Sequence, residues 1–178
     1  NAIGFSKEQL YSTASYQAKL LDRVQMKQID VGGWDFHGQS LVNANFEGAS
    51  IIGTDFTGAI VSGVDFSSTG IRQEQIYSTA SYRDKNLSKI DLSSNNLTSW
   101  NFSNQNMSGV EMAYADVTGA DFRRAIVTGI DLWGVKGFTP QQLYSTASYQ
   151  LHNMAGIQLK KLDLTSWDLS NQNLSNAS

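Results

Sequence analysis

An apolar side chain recurs every five residues through most of this sequence. The first members of the series are Leu21, Met26, Val31, Phe36 and Leu41. The series continues to Phe66 and is found again from Leu87 to Leu132. We call these apolar residues centres. A period of five fits neither an amphipathic helix, which repeats every 3.6 residues, nor a strand that alternates every second residue. The chain must therefore fold in units of five residues.

Each unit is predicted to be a short extended segment followed by a corner, as in residues 44–48. Residues two apart in an extended segment point the same way, so Ala44 and Phe46 face inward and Asn45 faces outward. Most acidic residues take the position just before a centre, where the side chain can accept hydrogen bonds from turn amides. This placement predicts a structural role for them. They are Asp30, Asp35, Asp55, Asp65, Asp91, Glu111, Asp116, Asp121, Asp131, Asp163 and Asp168.

A second, longer period is superimposed on the first. The hexapeptide YSTASY occupies residues 11–16, 77–82 and 144–149. It divides the chain into three long repeats, 5–70, 71–137 and an incomplete 138–178. A chain of 178 residues suits a single domain, so residues 1–178 are expected to form one continuous repeat structure.

The pattern small, Asp or Asn, apolar, any, any resembles that of the pentapeptide repeat proteins. The resemblance covers nearly the whole chain outside three short interruptions. It implies an all-β solenoid, a right-handed quadrilateral β-helix with four pentapeptides per coil. We expect about 7–8 coils, each burying its apolar residues against the coils above and below it.

A winding of four units per coil also follows from the composition of the centres. If every fourth centre lies on the same side of the solenoid, one side contains an almost wholly aromatic set. We expect these side chains to form a ladder of rings along the solenoid, since neighbouring coils should lie about 4.8 Å apart. The set contains Tyr16, Phe36, Phe56, Tyr82, Phe102, Phe122, Tyr149 and Leu169.

The three interruptions are predicted to be helical turns. Each consists of six extra residues that end on the first tyrosine of YSTASY, namely 6–11, 72–77 and 139–144. In the third copy Thr139 can cap the turn, Pro140 suits its first position, and Gln142 follows three residues after the cap. Each complete copy contains three whole coils, so the three short helical excursions should lie along one edge.

Candidate partner-contact residues come from two motifs. In the first motif, Trp takes the position two residues before a centre, where the repeat usually has a small residue, and Gln follows five positions later. One interpretation is that Trp fills space beside the ladder while Gln bonds to the backbone; the other is a repeated sugar-binding edge. In the second, the first tyrosine of each YSTASY could form an exposed aromatic strip. Trp133 should also point outward. The residues are Trp34, Trp100, Trp167, Gln39, Gln105, Gln172, Tyr11, Tyr77 and Tyr144.

Composition argues against several classes of function. The chain has 13 Lys and Arg, 16 Asp and Glu and a formal charge of -3, which disfavours direct binding of nucleic acid. It has no Cys and two His, and no catalytic or phosphate-binding motif. We therefore expect neither an enzyme nor a metal or cofactor site. No apolar run approaches the ~20 residues of a membrane span.

The sequence favours a non-enzymatic structural or protein-interaction solenoid. The chain starts and stops at phases that match with one residue missing. It is therefore expected to be part of a longer solenoid or to associate end to end, in a bacterial surface or extracellular protein rather than in the cytoplasm. Two alternatives stay open. The resemblance implies a B-DNA-mimicking inhibitor or protector of DNA gyrase, and the tryptophans suggest a glycan-binding module.

Overall fold

The computed structural model describes residues 5–178. Its helices are short and come in three pairs, one pair in each long repeat. Outside the helices, the described residues form turns and isolated parallel bridges rather than longer strands. The helices are α1 (Lys7–Tyr11), α2 (Ala14–Gln17), α3 (Gln73–Tyr77), α4 (Ala80–Arg83), α5 (Pro140–Tyr144) and α6 (Ala147–Gln150).

The parallel bridges fix the winding. Most of them join residues twenty positions apart, as in the bridge between Asp35 and Asp55. Twenty residues are four units of five, so each coil has four walls, as predicted. Two bridges span longer steps, from Asp65 to Asp91 and from Asp131 to Gln158. A helix pair lies inside each longer step, and the register of the walls is the same on both sides of it.

We name the four walls by their centres. Wall A contains Phe36 and Phe56, wall B Leu41 and Val61, wall C Phe46 and Phe66, and wall D Val31 and Ile51. The chain visits them in the order A, B, C, D. The next centre on a wall lies directly below in the following coil.

Each wall is held by a parallel ladder of backbone hydrogen bonds. On wall A the Phe36 amide donates to the Asp55 carbonyl at 2.8 Å, and the Asp55 amide donates back to the Trp34 carbonyl at 2.9 Å. These are the slanted, evenly spaced bonds of parallel strands. Every coil therefore satisfies the backbone of its two neighbours.

The corners are turns with a left-handed residue two positions after each centre. Gly38 has φ 64°, and the Gln39 amide donates to the Phe36 carbonyl at 3.0 Å. Positive φ at this place is the mark of a type II turn and favours Gly or Asn. Asn104, with φ 60°, takes the equivalent position.

The ten aspartates that precede a centre accept a bond from a corner amide, as the sequence predicted, whereas Glu111 makes no such bond within residues 5–178. The Asp35 Oδ1 accepts from the His37 amide at 2.6 Å, and the Asp55 Oδ1 accepts from the Thr57 amide at 2.8 Å. The local bond explains why Asp and Asn dominate this position, because both side chains are short enough to reach an amide two residues on.

Four phenylalanines form a buried aromatic cluster in the core. Phe36 stacks on Phe56 with ring centroids 5.6 Å apart, and Phe46 stacks on Phe66 at 5.5 Å. Phe36 also meets Phe46 edge to face at 5.4 Å. The exposed fractions of all four are 1% or less. Rings from walls A and C thus interlock across the interior.

The ladder of rings on wall A is interrupted at each YSTASY. Residues 14–17, 80–83 and 147–150 are helical, and this second helix of each excursion was not predicted. It turns Tyr16, Tyr82 and Tyr149 away from the phenylalanines and onto the preceding tyrosine of the hexapeptide. Those ring centroids are 4.5, 4.4 and 4.6 Å apart. Within residues 5–178 the stacked wall-A pairs are Phe36 with Phe56 and Phe102 with Phe122.

We expect Phe56→Ala to lower the free energy of unfolding by about 3–5 kcal/mol, since it removes a buried ring from a packed core. Denaturant melts of the two proteins measure the loss. Ile60→Ala, at a side chain that is 46% exposed, is the control and should cost less than about 1 kcal/mol. A loss for Phe56→Ala as small as that of the control would contradict the packing.

Candidate functional site

The two tyrosines of each YSTASY replace a missing rung of the wall-A ladder. The Tyr77 hydroxyl accepts from the Asn101 amide at 2.5 Å, and the Tyr82 hydroxyl donates to the Asn101 carbonyl at 2.9 Å. In an uninterrupted wall both groups of Asn101 would bond to the backbone of the coil above. Helix α4 has removed that backbone. The paired hydroxyls therefore satisfy one amide and one carbonyl that would otherwise lack partners.

The same arrangement occurs in the other two copies. Tyr11 and Tyr16 bond to the amide and carbonyl of Asp35 at 2.5 and 3.0 Å. Tyr144 and Tyr149 bond to Asp168 at 2.5 and 2.8 Å. The first tyrosine of each pair is half-buried, so its placement is explained by this contact.

The middle of the hexapeptide bonds to the coil above. The Ser78 carbonyl accepts from the Gly58 amide and the Ala80 amide donates to the Ala59 carbonyl, both at 2.9 Å. The Ser81 Oγ accepts from the Val61 amide at 2.9 Å. The third copy repeats these bonds with Ser145, Ala147 and Ser148.

Thr79 completes the hexapeptide by capping α4, because its Oγ1 accepts from the Tyr82 amide at 3.1 Å. All six positions therefore have an assigned contact. The side chains of Tyr77, Ser81 and Tyr82 bond to neighbouring coils, whereas Ser78 and Ala80 bond to the coil above through their backbone.

Burial raises the pKa of Tyr82 to about 12, with a smaller contribution from Tyr77. Burial, followed by the charge of Asp35, raises the pKa of Tyr16 to about 12. Both hydroxyls stay protonated and able to donate at neutral pH. Because the folded pKa lies above the ordinary tyrosine value, the stability that they contribute is lost as the pH rises from about 10 to about 12.

The glutamines of the tryptophan motif bond to the same segment. The Nε2 atoms of Gln39, Gln105 and Gln172 donate to the carbonyls of Tyr16, Tyr82 and Tyr149 at 3.1, 3.0 and 3.1 Å. Gln39 and Gln105 are fully buried, whereas Gln172 is half-buried. The first two side chains are thus interior structural groups and are not available to a partner.

The structure places two of the three motif tryptophans in the core. Trp34 and Trp100 are 7% and 4% exposed and lie against Phe36 and Phe102. Trp167 is half-buried beside Phe138. The rings of Trp34 and Trp100 therefore fill space beside the wall-A phenylalanines. They do not form the surface edge on which the sugar-binding interpretation depended.

Wall C carries an unbroken column of four carboxylates, Asp65, Asp91, Glu111 and Asp131. Successive bridges join them, one in each coil. The ion pairs of residues 5–178 use other acidic groups, namely Glu47, Asp84, Asp116 and Asp121. We call these four residues the acidic column.

Like charges in the acidic column disfavour ionisation. Burial, and then the charges of Asp65 and Glu47, raise the pKa of Asp91. Burial, and then the charges of Asp91, Asp131 and Asp65, raise the pKa of Glu111. At neutral pH the column is therefore a source of repulsion between coils.

An aromatic pair lies beside the acidic column. Tyr114 and Trp133 are 51% and 38% exposed, with ring centroids 5.3 Å apart. Tyr114 takes the left-handed corner position, with φ 59°. A Cβ atom on Gly134, in the next coil, would meet the Tyr114 ring at 3.0 Å. The small residue at 134 thus makes room for the ring.

Lys161 contacts both rings of this pair. Its Nζ lies 5.2 Å from the Tyr114 ring centroid and 5.1 Å from that of Trp133, and it donates to the Tyr114 hydroxyl at 3.2 Å. The sequence had singled out Trp133 but neither Tyr114, Lys161 nor the acidic column. The twenty-residue period contains the signal that groups them, because all of them lie within two residues of a wall-C centre.

The described part of the chain, residues 5–178, has no group of three His, Cys, Asp or Glu suited to hold a metal ion. None of its helices is long and apolar enough to cross a membrane.

We expect Tyr77→Phe to cost about 1 kcal/mol of unfolding free energy, since it leaves the Asn101 amide without its acceptor. Tyr114→Phe is the matched control, because its hydroxyl is at the surface, and should change stability by less than about 0.5 kcal/mol. Denaturant melts measure both. Equal stability of the two variants would contradict the assigned role of the hexapeptide tyrosines.

Several solved structures show low similarity to this chain. They include one of a fluoroquinolone resistance protein and two of pentapeptide repeat proteins. A trypsin-treated variant of QnrB1, a plasmid-mediated fluoroquinolone resistance protein, is 20% identical over 88% of this chain, with a TM-score of 0.34. This chain spans 62% of the length of that structure. A pentapeptide repeat protein from the Arabidopsis thaliana thylakoid lumen is 24% identical, covering 70% of this chain and 72% of its own, with a TM-score of 0.29.

A pentapeptide repeat protein of the cyanobacterium Cyanothece 51142 is 21% identical, covering 66% of this chain and 80% of its own, with a TM-score of 0.28. Among curated proteins, no significant match is found. The family model for pentapeptide repeats matches residues 35–67 and 86–124, in 8 copies. The same twenty-residue register joins coils outside these two ranges, for example between Asn153 and Asn173. Residues 35–67 and 86–124 of this chain therefore match the pentapeptide repeat family.

Proposed function

We propose that this chain is a non-enzymatic structural and protein-interaction solenoid that associates end to end with further coils, in a bacterial surface or extracellular setting. The observation that carries the proposal is a match between hydrogen-bonding groups of the first helix pair and of the last coil that have no partner within residues 5–178. The contacts between YSTASY and the coil above it, inside the chain, provide the pattern for that match.

The first copy of YSTASY presents the same upper face as the other two. In copies two and three, this face offers one carbonyl, one amide and one serine hydroxyl to the coil above. The equivalent groups are the Ser12 carbonyl, the Ala14 amide and the Ser15 hydroxyl. They make no hydrogen bond to any other residue of the range 5–178.

The last coil presents the complementary groups. Asn171, Gln172 and Leu174 correspond in register to Gly58, Ala59 and Val61. Among the described residues, the Asn171 amide, the Gln172 carbonyl and the Leu174 amide have no bonded partner. Two amides and one carbonyl are what the Ser12 to Ser15 face requires, so a second copy could stack there with the bonds of an internal junction.

The end of the core supports the same contact. Leu174 is 37% exposed, and Leu164 and Leu169 are half-buried at the bottom of the last coil. Covering these side chains with another coil would bury apolar surface, which stabilises association by about 25 cal/mol per Å².

Sedimentation velocity over a range of protein concentrations tests the proposal. We expect the average mass to rise with concentration by mass action. Leu174→Lys should stay monomeric because it places a charge in the contact. Ile52→Lys, at a wall-D side chain that is 74% exposed, is the control and should associate like the parent chain. A parent chain that is monomeric throughout, or loss of association in both variants, would contradict the proposal.

The acidic column favours a second candidate function, imitation of B-DNA in binding to gyrase. It places one carboxylate per coil, about 4.8 Å apart, whereas duplex DNA carries one charge per ~1.7 Å. The formal charge of -3 confines any imitation to this one wall. Inhibition of gyrase supercoiling that is lost in Asp91→Asn/Glu111→Gln would support this candidate. No effect of the parent chain on supercoiling would remove it.

A further inference from the structure

The aromatic pair on wall C is an exposed apolar surface on an otherwise polar wall. Tyr114 and Trp133 are large, mutually packed and more than one third exposed. Tyr and Trp are enriched in protein interfaces because they supply a large contact area at a small cost in conformational entropy. The charges and spacing around this pair determine what kind of partner it would accept.

Charge complementarity identifies the partner as cationic. Glu111 and Asp131 lie on the same two coils as Tyr114 and Trp133, and the Trp133 amide donates to the Asp131 Oδ1 at 2.8 Å. The acidic column continues over two further coils, through Asp91 to Asp65. A partner that contacts the rings thus meets up to four carboxylates that have no ion-pair partner within residues 5–178.

Spacing identifies the cationic partner as an α-helix. Coils about 4.8 Å apart place the four carboxylates at about 0, 5, 10 and 14 Å along the solenoid axis. With a rise of 1.5 Å per residue, helix positions i, i+3, i+7 and i+10 lie at about 0, 4.5, 10.5 and 15 Å. An extended strand presents side chains to one face only every ~6.8 Å. Its second and third side chains would therefore miss the second and third carboxylates by about 2 and 4 Å.

Lys161 sets the direction and limit of the contact. Its ammonium group lies over both rings, and its backbone belongs to the coil that follows Asp131. Lys160 is its neighbour in the chain. Two positive charges there repel a basic stripe that extends past the fourth carboxylate, so they favour one register of the partner over others.

We propose that the Tyr114–Trp133 pair and the adjoining wall-C carboxylates form a docking surface for an α-helix of a partner protein that carries a stripe of Lys or Arg. The carboxylates pair with the basic stripe, and the rings pack against the side of the helix. This surface lies on a side wall, so its use does not depend on the end-to-end contact proposed above.

The probe is an Ala-rich peptide of roughly 18 residues, a length at which helix formation is feasible, with Lys at i, i+3, i+7 and i+10. The control peptide has the same composition, with its four Lys distributed around the helix. Titration calorimetry with the full chain should show the striped peptide binding about tenfold more tightly, and its affinity should fall with added salt. Equal affinity for the two peptides, or no binding of either, would overturn the proposal.

Variants of the chain locate the contact. Asp91→Asn/Glu111→Gln should reduce affinity for the striped peptide about tenfold, and Tyr114→Ser/Trp133→Ser should also weaken it. Asp163→Asn/Asp168→Asn removes the same charge from walls D and A and should bind like the parent chain. Equal losses in the Asp91/Glu111 and Asp163/Asp168 variants would mean that only net charge matters, and would contradict a docking surface on wall C. A monomeric Leu174→Lys chain that still binds the striped peptide would separate this result from the end-to-end proposal.

Discussion

The parallel hydrogen-bond ladder between coils is the constraint on which the structure depends. Each wall is too short to be a strand on its own, so its backbone amides and carbonyls must be satisfied by the coil above and the coil below. A coil can have any outward side chains, but it must contain twenty residues in register with its neighbours. The bridges from Asp35 to Asp55 and from Asp65 to Asp91 show this register with and without an inserted helix pair.

YSTASY shows how an insertion can be tolerated under that constraint. A helix in place of one wall deprives the coil below of an acceptor for one amide and of a donor for one carbonyl. The paired tyrosine hydroxyls supply both, as at Asn101. Towards the coil above, a serine hydroxyl substitutes for a backbone carbonyl, as Ser81 does for the Val61 amide. The hexapeptide therefore joins helical to extended backbone, and its two tyrosines and second serine make the side-chain bonds that this junction requires. The structural and protein-interaction roles proposed for the chain use what remains outside this junction, its ends and its walls.

The four-unit winding, the local bonds of Asp and Asn and the position of the first helix in each excursion could be predicted, because each depends on residues near in sequence or on a strict period. The second helix could not. Tyr16 fits the series of wall-A centres by composition. In the structure, however, Thr13 caps a helix there and the Tyr16 ring stacks on Tyr11. The burial of Trp34 and Gln39 was one of two interpretations that the sequence allowed, and the contacts of Trp34 with Phe36 and of Gln39 with the Tyr16 carbonyl support it. The acidic column and Tyr114 could be predicted from the twenty-residue period, because each lies next to or near a wall-C centre.

Disulfide cross-linking tests the register most directly, since the chain contains no cysteine of its own. Residues paired across adjacent parallel coils lie about 4.8 Å apart, within the range that a disulfide can bridge. The account predicts that Asp65→Cys/Asp91→Cys oxidises readily to an intramolecular disulfide, because the helix pair between them is inserted without disturbing the wall. It predicts that Asp65→Cys/Lys85→Cys, twenty positions apart in sequence, does not. Cross-linking of the second pair in preference to the first would contradict the account.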